Sequence, residues 1–382
     1  MISLFIRTTK QVATYLIVLL ITWLLLEIAL TFLDPYLFKA FFQYDSELGF
    51  RVRPHTNGSN EFGFNDIDRP HAKPANTYRI IVLGDSFNWA GGTDCNYVGL
   101  LGKKLQNERI NEKKIEVINV GYPSTGPYEE FLVLKRFGLK YDPDLVILGF
   151  FAGNDFSGME PHKKQIVLNA NFYTIDRSQE YFLFGVPVIL KSRVVEIISQ
   201  YKKILRDVQI RPNRGEQPSC SFTSDPEFTE AAFLQLTAAK LAFQGWKMPV
   251  YFTEQVELVS RTISSMKEYL FERHIDFKIV ILPDEVQIDP KLLGAAIDFG
   301  HITKGDLDID RPQKLVQSIL AGEKISHLDL LPIFRAAFLQ NPENPLYLLR
   351  NTHWNRAGNE LAAETIYQWL KPQLQNIHDD SN

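Results

Sequence analysis

Four short runs decide the fold: RIIVLGDS (79–86), IEVINVG (115–121), LVILGFFAGND (145–155) and FKIVILPD (277–284). Each is apolar and rich in β-branched residues, and each stops at Gly, Asn, Asp or Ser, the signature of a strand buried on both faces. Helix-like stretches at 97–107, 128–137, 230–243 and 255–273 fall around them, and an amphipathic segment at 358–373 closes the chain. Strand alternating with helix predicts an α/β domain over 79–376, a parallel sheet with helices on both faces.

Upstream, residues 35–78 carry Pro, Gly and Asn at short intervals with little periodicity, as expected of a linker packing onto the domain. Before it, residues 12–32 (VATYLIVLLITWLLLEIALTF) hold one ionisable group, Glu27. A helix of about 21 residues spans roughly 31 Å, the thickness of a bilayer's hydrocarbon layer. The run exceeds the apolar part of a signal peptide and no small-x-small cleavage site follows, so residues 1–34 are expected to be a cytoplasmic tip and an uncleaved transmembrane anchor. Arg7 and Lys10 precede the span and Asp34 follows it. That bias places the N-terminus in the cytoplasm and exports the rest, which in a bacterium means a single-pass inner-membrane protein with a periplasmic domain. Glu27 is expected near the outer interface, within reach of water.

Residues 156–226 interrupt the α/β rhythm with Pro-, Ser- and Arg-rich stretches and one helical piece at 194–208, as an insertion over the functional end of the sheet would. The 382 residues, 45% hydrophobic and 23% charged, suffice for a full core and exclude a disordered or disulfide-stapled chain. A net charge of -4 gives no global field to gather nucleic acid. Cys95 and Cys220 lack metal or redox spacing; they are equally compatible with one bridge in an oxidising compartment and with two free buried thiols.

In open α/β sheets ligands bind beyond the carboxyl ends of the strands. Those ends are Gly84-Asp85-Ser86-Phe87, Asn119-Val120-Gly121-Tyr122-Pro123-Ser124 and Gly153-Asn154-Asp155; downstream, Arg350-Asn351-Thr352-His353-Trp354-Asn355 precedes the last helix. Cleaving an ester requires a hydroxyl nucleophile, a base and donors aimed at the developing oxyanion. Ser86, His353, and the Asn154 amide with the backbone N–H groups of Ser86 and Ser124 supply all three. Singly, Ser86 reads as a helix N-cap, His353 as an ordinary histidine and Asn154-Asp155 as a turn; the ordered set points to acyl chemistry, with Asp85 and Asp155 in support.

These blocks resemble the SGNH, or GDSL-type, hydrolase superfamily: Gly84-Asp85-Ser86-Phe87 is similar to its first block, Gly153-Asn154-Asp155 to its GxND block, and Thr352-His353-Trp354-Asn355 with Gly358 to the histidine block of bacterial membrane-anchored members. The likeness runs from about Gly49 to the last helix. It implies a three-layer α/β/α flavodoxin-like fold, with Ser86 as nucleophile, His353 as general base and Asn154 as oxyanion donor. Two departures stand out. Ser124 occupies the place where relatives carry a glycine. Asn351 and Arg350 stand where relatives carry the aspartate that orients the histidine, so Asn351 is the candidate orienting group, and Asp155 and Asp329 are the carboxylates that could be borrowed. Asn355 is a further candidate for polar contact with substrate.

The expected function is a membrane-anchored serine esterase removing O-acyl groups, chiefly acetyl, from a cell-envelope or exported glycan. Two alternatives stay open. The same Ser86–His353 pair serves an O-acetyltransferase, since the HWN element resembles that of exopolysaccharide O-acetylation proteins, and a membrane acyl-donor partner would then be required. The missing acid also suits a catalytically silent glycan-binding or assembly protein. Trp89 and Trp354 are candidates for a sugar platform among aromatics that otherwise read as core. IIVLG lacks the following glycines of a dinucleotide loop. Asp306, Asp308 and Asp310 alternate like a calcium loop but lack its glycine and glutamate, and they read as a solvated acidic loop. The eight histidines show no metal-ligand spacing, so neither metal nor cofactor is expected.

Overall fold

The computed structural model describes residues 2–37, 41–110, 112–156, 163–168, 171–176, 182–183, 186–187, 192, 194–195, 198, 220, 222, 225–244 and 250–376. The chain divides into two units, residues 1–50 with 162–215, and residues 51–161 with 216–382.

In the first unit the helix Ile2–Leu37 contains Lys10–Leu30, 21 residues long and apolar enough to cross a membrane. Its apolar side chains, Leu16, Leu19 and Leu25 among them, are exposed on all sides. The Glu27 carboxylate accepts a hydrogen bond from Ser192 Oγ at 2.5 Å, so a protein hydroxyl meets the acid that the sequence assigns to water. An antiparallel hairpin pairs Lys163–Leu168 with Asn171–Asp176, and Ile166 is buried against Tyr44 and Ile175. The helical piece expected at 194–208 lies almost wholly outside the described residues.

The second unit carries the sheet. Its parallel strands are β1 (Thr77–Gly84), β2 (Lys113–Asn119), β3 (Leu145–Phe151), β4 (Asp276–Leu282) and β5 (Ser326–Asp329), in spatial order β5-β4-β3-β1-β2, with the short antiparallel strand Arg109–Ile110 at the β2 edge. This is the flavodoxin-like 2-1-3-4-5 order, and it reverses direction between β1 and β3. Residues 80–84 of β1 pair with 145–149 of β3, while 77–82 pair with 114–119 of β2. β1 and β3 are buried at every position because neighbouring strands and both helical layers cover them.

The helices are α1 (Tyr97–Leu105), α2 (Pro127–Arg136), α3 (Glu230–Gln244), α4 (Val250–Phe271), α5 (Pro290–Gly300), α6 (Arg311–Glu323), α7 (Leu331–Gln340) and α8 (Arg356–Asn376). One face of the sheet, with Ile80, Val82, Ile147 and Val280, is buried under Leu101, Leu105, Phe334, Ile366 and Leu370 of α1, α7 and α8. The alternate residues Ile81, Leu83, Val146, Leu148, Ile279 and Ile281 are buried on the other face, where α2 packs on β1 and on α4, and α4 on β4 and α6. Leu241 of α3 and Ala296 of α5 bury Val286 in a smaller cluster. The acidic loop proves to be ion-paired: Asp308 meets Lys314 at 2.9 Å and Asp310 meets Arg335 at 2.6 Å.

Residues 53–76 form turns held by side chains. Asn60 Oδ1 accepts the N–H groups of Phe62 and Phe64, and Asp66 Oδ2 accepts the Asn119 N–H at 2.8 Å. Arg79, wholly buried on β1, donates to Glu116 Oε2 (2.6 Å) and to the carbonyls of Pro70, His71 and Tyr141. Cys95 and Cys220 form a disulfide across 125 residues of chain, which settles the open pairing in favour of a bridge. A link of that kind stabilises by about 2–4 kcal/mol.

Candidate active site

Three segments at the carboxyl end of the sheet build the site. β1 ends at Gly84, and a single 3-10 turn, Ser86–Asn88, follows. Asp85 caps that turn, its Oδ1 accepting the Phe87 N–H at 2.9 Å. Capping therefore falls to Asp85, and the Ser86 hydroxyl is left for another partner. That partner is His353: Ser86 Oγ and His353 Nε2 are 2.7 Å apart, across 267 residues of sequence.

The turn is seated on a buried amide network. Asn88 Nδ2 donates to Val82 O and Asn119 Oδ1, Asn119 Nδ2 donates to Asn88 O, and Tyr97 Oη donates to Asn88 Oδ1 at 2.7 Å. A Cβ on Gly84 or Gly121 would fall 2.4 Å from atoms of the Asn88 side chain, so both strand ends have to be glycine for this seat to form.

His353 is fixed from behind. Its Nδ1 lies 2.6 Å from Asn351 Oδ1, which also accepts the His353 backbone N–H at 3.0 Å. Leu348 N donates to His353 O, and the imidazole packs against Phe87, ring centroids 5.2 Å apart. Trp354 is fully buried against Phe87, Tyr97 and Phe334, which removes it as a sugar platform. Trp89 is half-buried, with Nε1 donating to Gly121 O. Asn355 is also structural: Nδ2 donates to Pro345 O and Tyr347 O, and Oδ1 accepts the Gly358 N–H at the start of α8.

The expected oxyanion donors sit as follows. Asn154 Nδ2 donates to Asp85 Oδ2 at 3.2 Å, beside the nucleophile. Ser124 has φ +65°, the left-handed conformation that favours glycine, so its backbone takes up a glycine-like geometry.

Neither carboxylate proposed as a substitute for the missing acid contacts His353. Asp155 Oδ2 accepts the Phe151 N–H at 2.7 Å and so clamps the loop after β3. Asp329 accepts from Gln317 Nε2 and the Leu331 N–H. The acid that does reach the site is Glu227, whose Oε2 accepts from Asn351 Nδ2 at 2.6 Å. It lies 124 residues before Asn351 in a stretch without periodicity, so spacing carried no sign of it.

Burial sets the local charge states. It pushes the Asp85 carboxyl up to about 6. Asp155 and Glu130, both buried, are raised well above the carboxylate range by desolvation first and by neighbouring acids second. Burial also pushes the His353 imidazole down to about 4, and the Lys240 cation adds to the effect. Lys240 is held by Asp284 at 2.8 Å. The imidazole is therefore neutral near pH 7. A depression of about 730 Å³, lined by Phe222, Leu348, Asn355, Arg356 and Glu360 among others, borders the His353 loop.

No family model matches the chain, and no curated protein sequence does. In three dimensions the chain is similar to the acetyl xylan esterase AlAXEase, with 15% identity and a TM-score of 0.41 over 76% of this chain and 99% of that one. It is similar to a lipase/acylhydrolase from Enterococcus faecalis, with 12% identity and a TM-score of 0.37 over 78% and 96%. It is also similar to a GDSL-like lipase from Bacteroides thetaiotaomicron VPI-5482, with 11% identity and a TM-score of 0.35 over 79% and 92%.

Proposed function

We propose that this chain is a serine esterase of the SGNH type that removes O-acyl groups, chiefly acetyl, from a cell-envelope or exported glycan. The hydrogen bond between Ser86 Oγ and His353 Nε2 at the β1 terminus carries the proposal. Ser86 Oγ attacks the acyl carbonyl carbon while His353 Nε2 takes the hydroxyl proton. The Asn154 amide and the backbone N–H groups of Ser86 and Ser124 receive the oxyanion. His353 then returns the proton to the departing sugar oxygen, leaving an acyl ester on Ser86. Water, deprotonated by the same nitrogen, releases the acid. The apolar helix Lys10–Leu30 serves as the anchor, and the Cys95–Cys220 disulfide suits the oxidising side of the membrane.

The test uses the full-length protein in detergent. A fluorophosphonate probe should attach to Ser86, and p-nitrophenyl acetate should be hydrolysed; absence of both would end the esterase assignment. If instead an acceptor glycan becomes acetylated in preference to release of acetate into water, the acyl-enzyme serves a transferase.

The position of His353 also fixes a pH profile. A general base works in its neutral form, so with the imidazole held down to about 4, kcat/KM should rise as pH increases through about 4 and be level thereafter. An unperturbed histidine would place that limb near about 6.5. Lys240→Met removes the neighbouring cation, which favours the imidazolium, so the limb should move to higher pH. A wild-type limb near neutrality, or no shift in the variant, would contradict the desolvated environment assigned to His353.

A further inference from the structure

Resting on the esterase assignment above, we infer that Glu227 is the acidic member of this site, a positioning residue that acts on His353 through the side-chain amide of Asn351. Three contacts run in series: Glu227 Oε2 to Asn351 Nδ2 at 2.6 Å, Asn351 Oδ1 to His353 Nδ1 at 2.6 Å, and His353 Nε2 to Ser86 Oγ at 2.7 Å. The segment bearing Glu227 is tied to the histidine loop by its backbone as well, since Phe228 N donates to Arg350 O at 3.4 Å.

The chemistry of each group fixes the direction of the series. A carboxylate only accepts hydrogen bonds, so the Asn351 atom facing Glu227 has to be its NH2. The oxygen is thereby turned toward His353, where it accepts both the backbone N–H and the ring Nδ1–H. With its proton on Nδ1, the imidazole presents a lone pair at Nε2 to the Ser86 hydroxyl. When Nε2 takes the hydroxyl proton, the positive charge on the ring faces the negative end of a polarised amide, with the carboxylate behind it. No proton moves beyond Nδ1. The charge that relatives place directly on the histidine is here set back by one amide, which keeps the imidazole a neutral base while still opposing its charge in the transition state.

The experiment is a charge exchange in the full-length protein, assayed with p-nitrophenyl acetate. Glu227→Gln retains the shape and removes the charge; kcat should fall about 10-fold with KM unchanged, a loss of the order seen when the outer hydrogen-bond partner of a metal-binding imidazole is removed. Adding Asn351→Asp to that variant places the carboxylate on Nδ1 and the amide outside it, so kcat should return to at least the original value. A structural role for Glu227 would not produce that recovery. Glu227 is exposed, so Glu227→Ala serves as a second variant and should match Glu227→Gln. Unchanged kcat in either single variant, or an exchange variant as slow as Glu227→Gln, overturns the inference. Fluorophosphonate labelling of Ser86 separates the two levels: labelling with an indifferent Glu227 removes only this assignment, whereas a protein that neither labels nor turns over removes its premise too.

Discussion

Ser86→Ala is expected to slow hydrolysis of p-nitrophenyl acetate at least about 10⁴-fold and to abolish fluorophosphonate labelling. In a full Ser-His-Asp triad, loss of the nucleophile costs about 10⁶ and loss of the acid about 10⁴. A site with no acid at all would thus have only about 10² left to lose when its serine is removed. The geometry here predicts a larger loss, because Asn351 fixes the imidazole at 2.6 Å and a carboxylate stands behind the amide. Steady-state rates at matched concentrations of folded protein measure it. A fall of less than about 10-fold would show that the hydroxyl is not the nucleophile, since binding and oxyanion donors alone would then carry the rate.

Arg79→Met should produce the largest loss of stability, about 3–5 kcal/mol. Arg79 is wholly buried and supplies donors to Glu116 and to three carbonyls of the turns around it. Glu116 keeps a second partner, Arg69 Nη1 at 3.1 Å, so its charge is not abandoned. The cost comes mainly from the lost bonds to the carbonyls of Pro70, His71 and Tyr141, of which that to Tyr141 O is fully buried; a buried group stripped of its partner forfeits about 1–3 kcal/mol. Arg79 lies seven residues before Ser86, roughly 20 Å along the strand. The rate per folded molecule should therefore be unchanged while denaturant or heat unfolds the variant sooner. A stability within about 0.5 kcal/mol of the parent protein would mean that solvent reaches these carbonyls.

The buried strands were legible because burial on both faces leaves an unbroken apolar run. β5, with sequence SHLD, was not: it is four residues long, partly exposed at the sheet edge, and polar at three of its four positions. Helices α5, α6 and α7 were passed over; each carries a proline in its first turn, Pro290, Pro312 and Pro332, as α2 does at Pro127. Proline interrupts a helix interior but suits the first turn, where no N–H is needed. At the site, Ser86 and His353 could be placed from strand ends and block order. Glu227 could not, because nothing local links it to the histidine. Trp354 and Asn355 flank the histidine and invite a ligand role, yet they are occupied in the core and in the loop's own hydrogen bonds.

The order in which the ribosome delivers the two reacting groups has its own consequence. Ser86 emerges early, whereas His353 follows 267 residues later and is seated through α8, where Asn359 accepts the Tyr97 N–H and donates to Trp354 O. At about 5–20 residues per second, the interval is on the order of ten to fifty seconds. During that time the nascent polypeptide exposes a hydroxyl with no base beside it. If Ser86 and His353 act as proposed, reactivity begins only when the carboxyl-terminal helix docks, and a message truncated before it should yield an inert product.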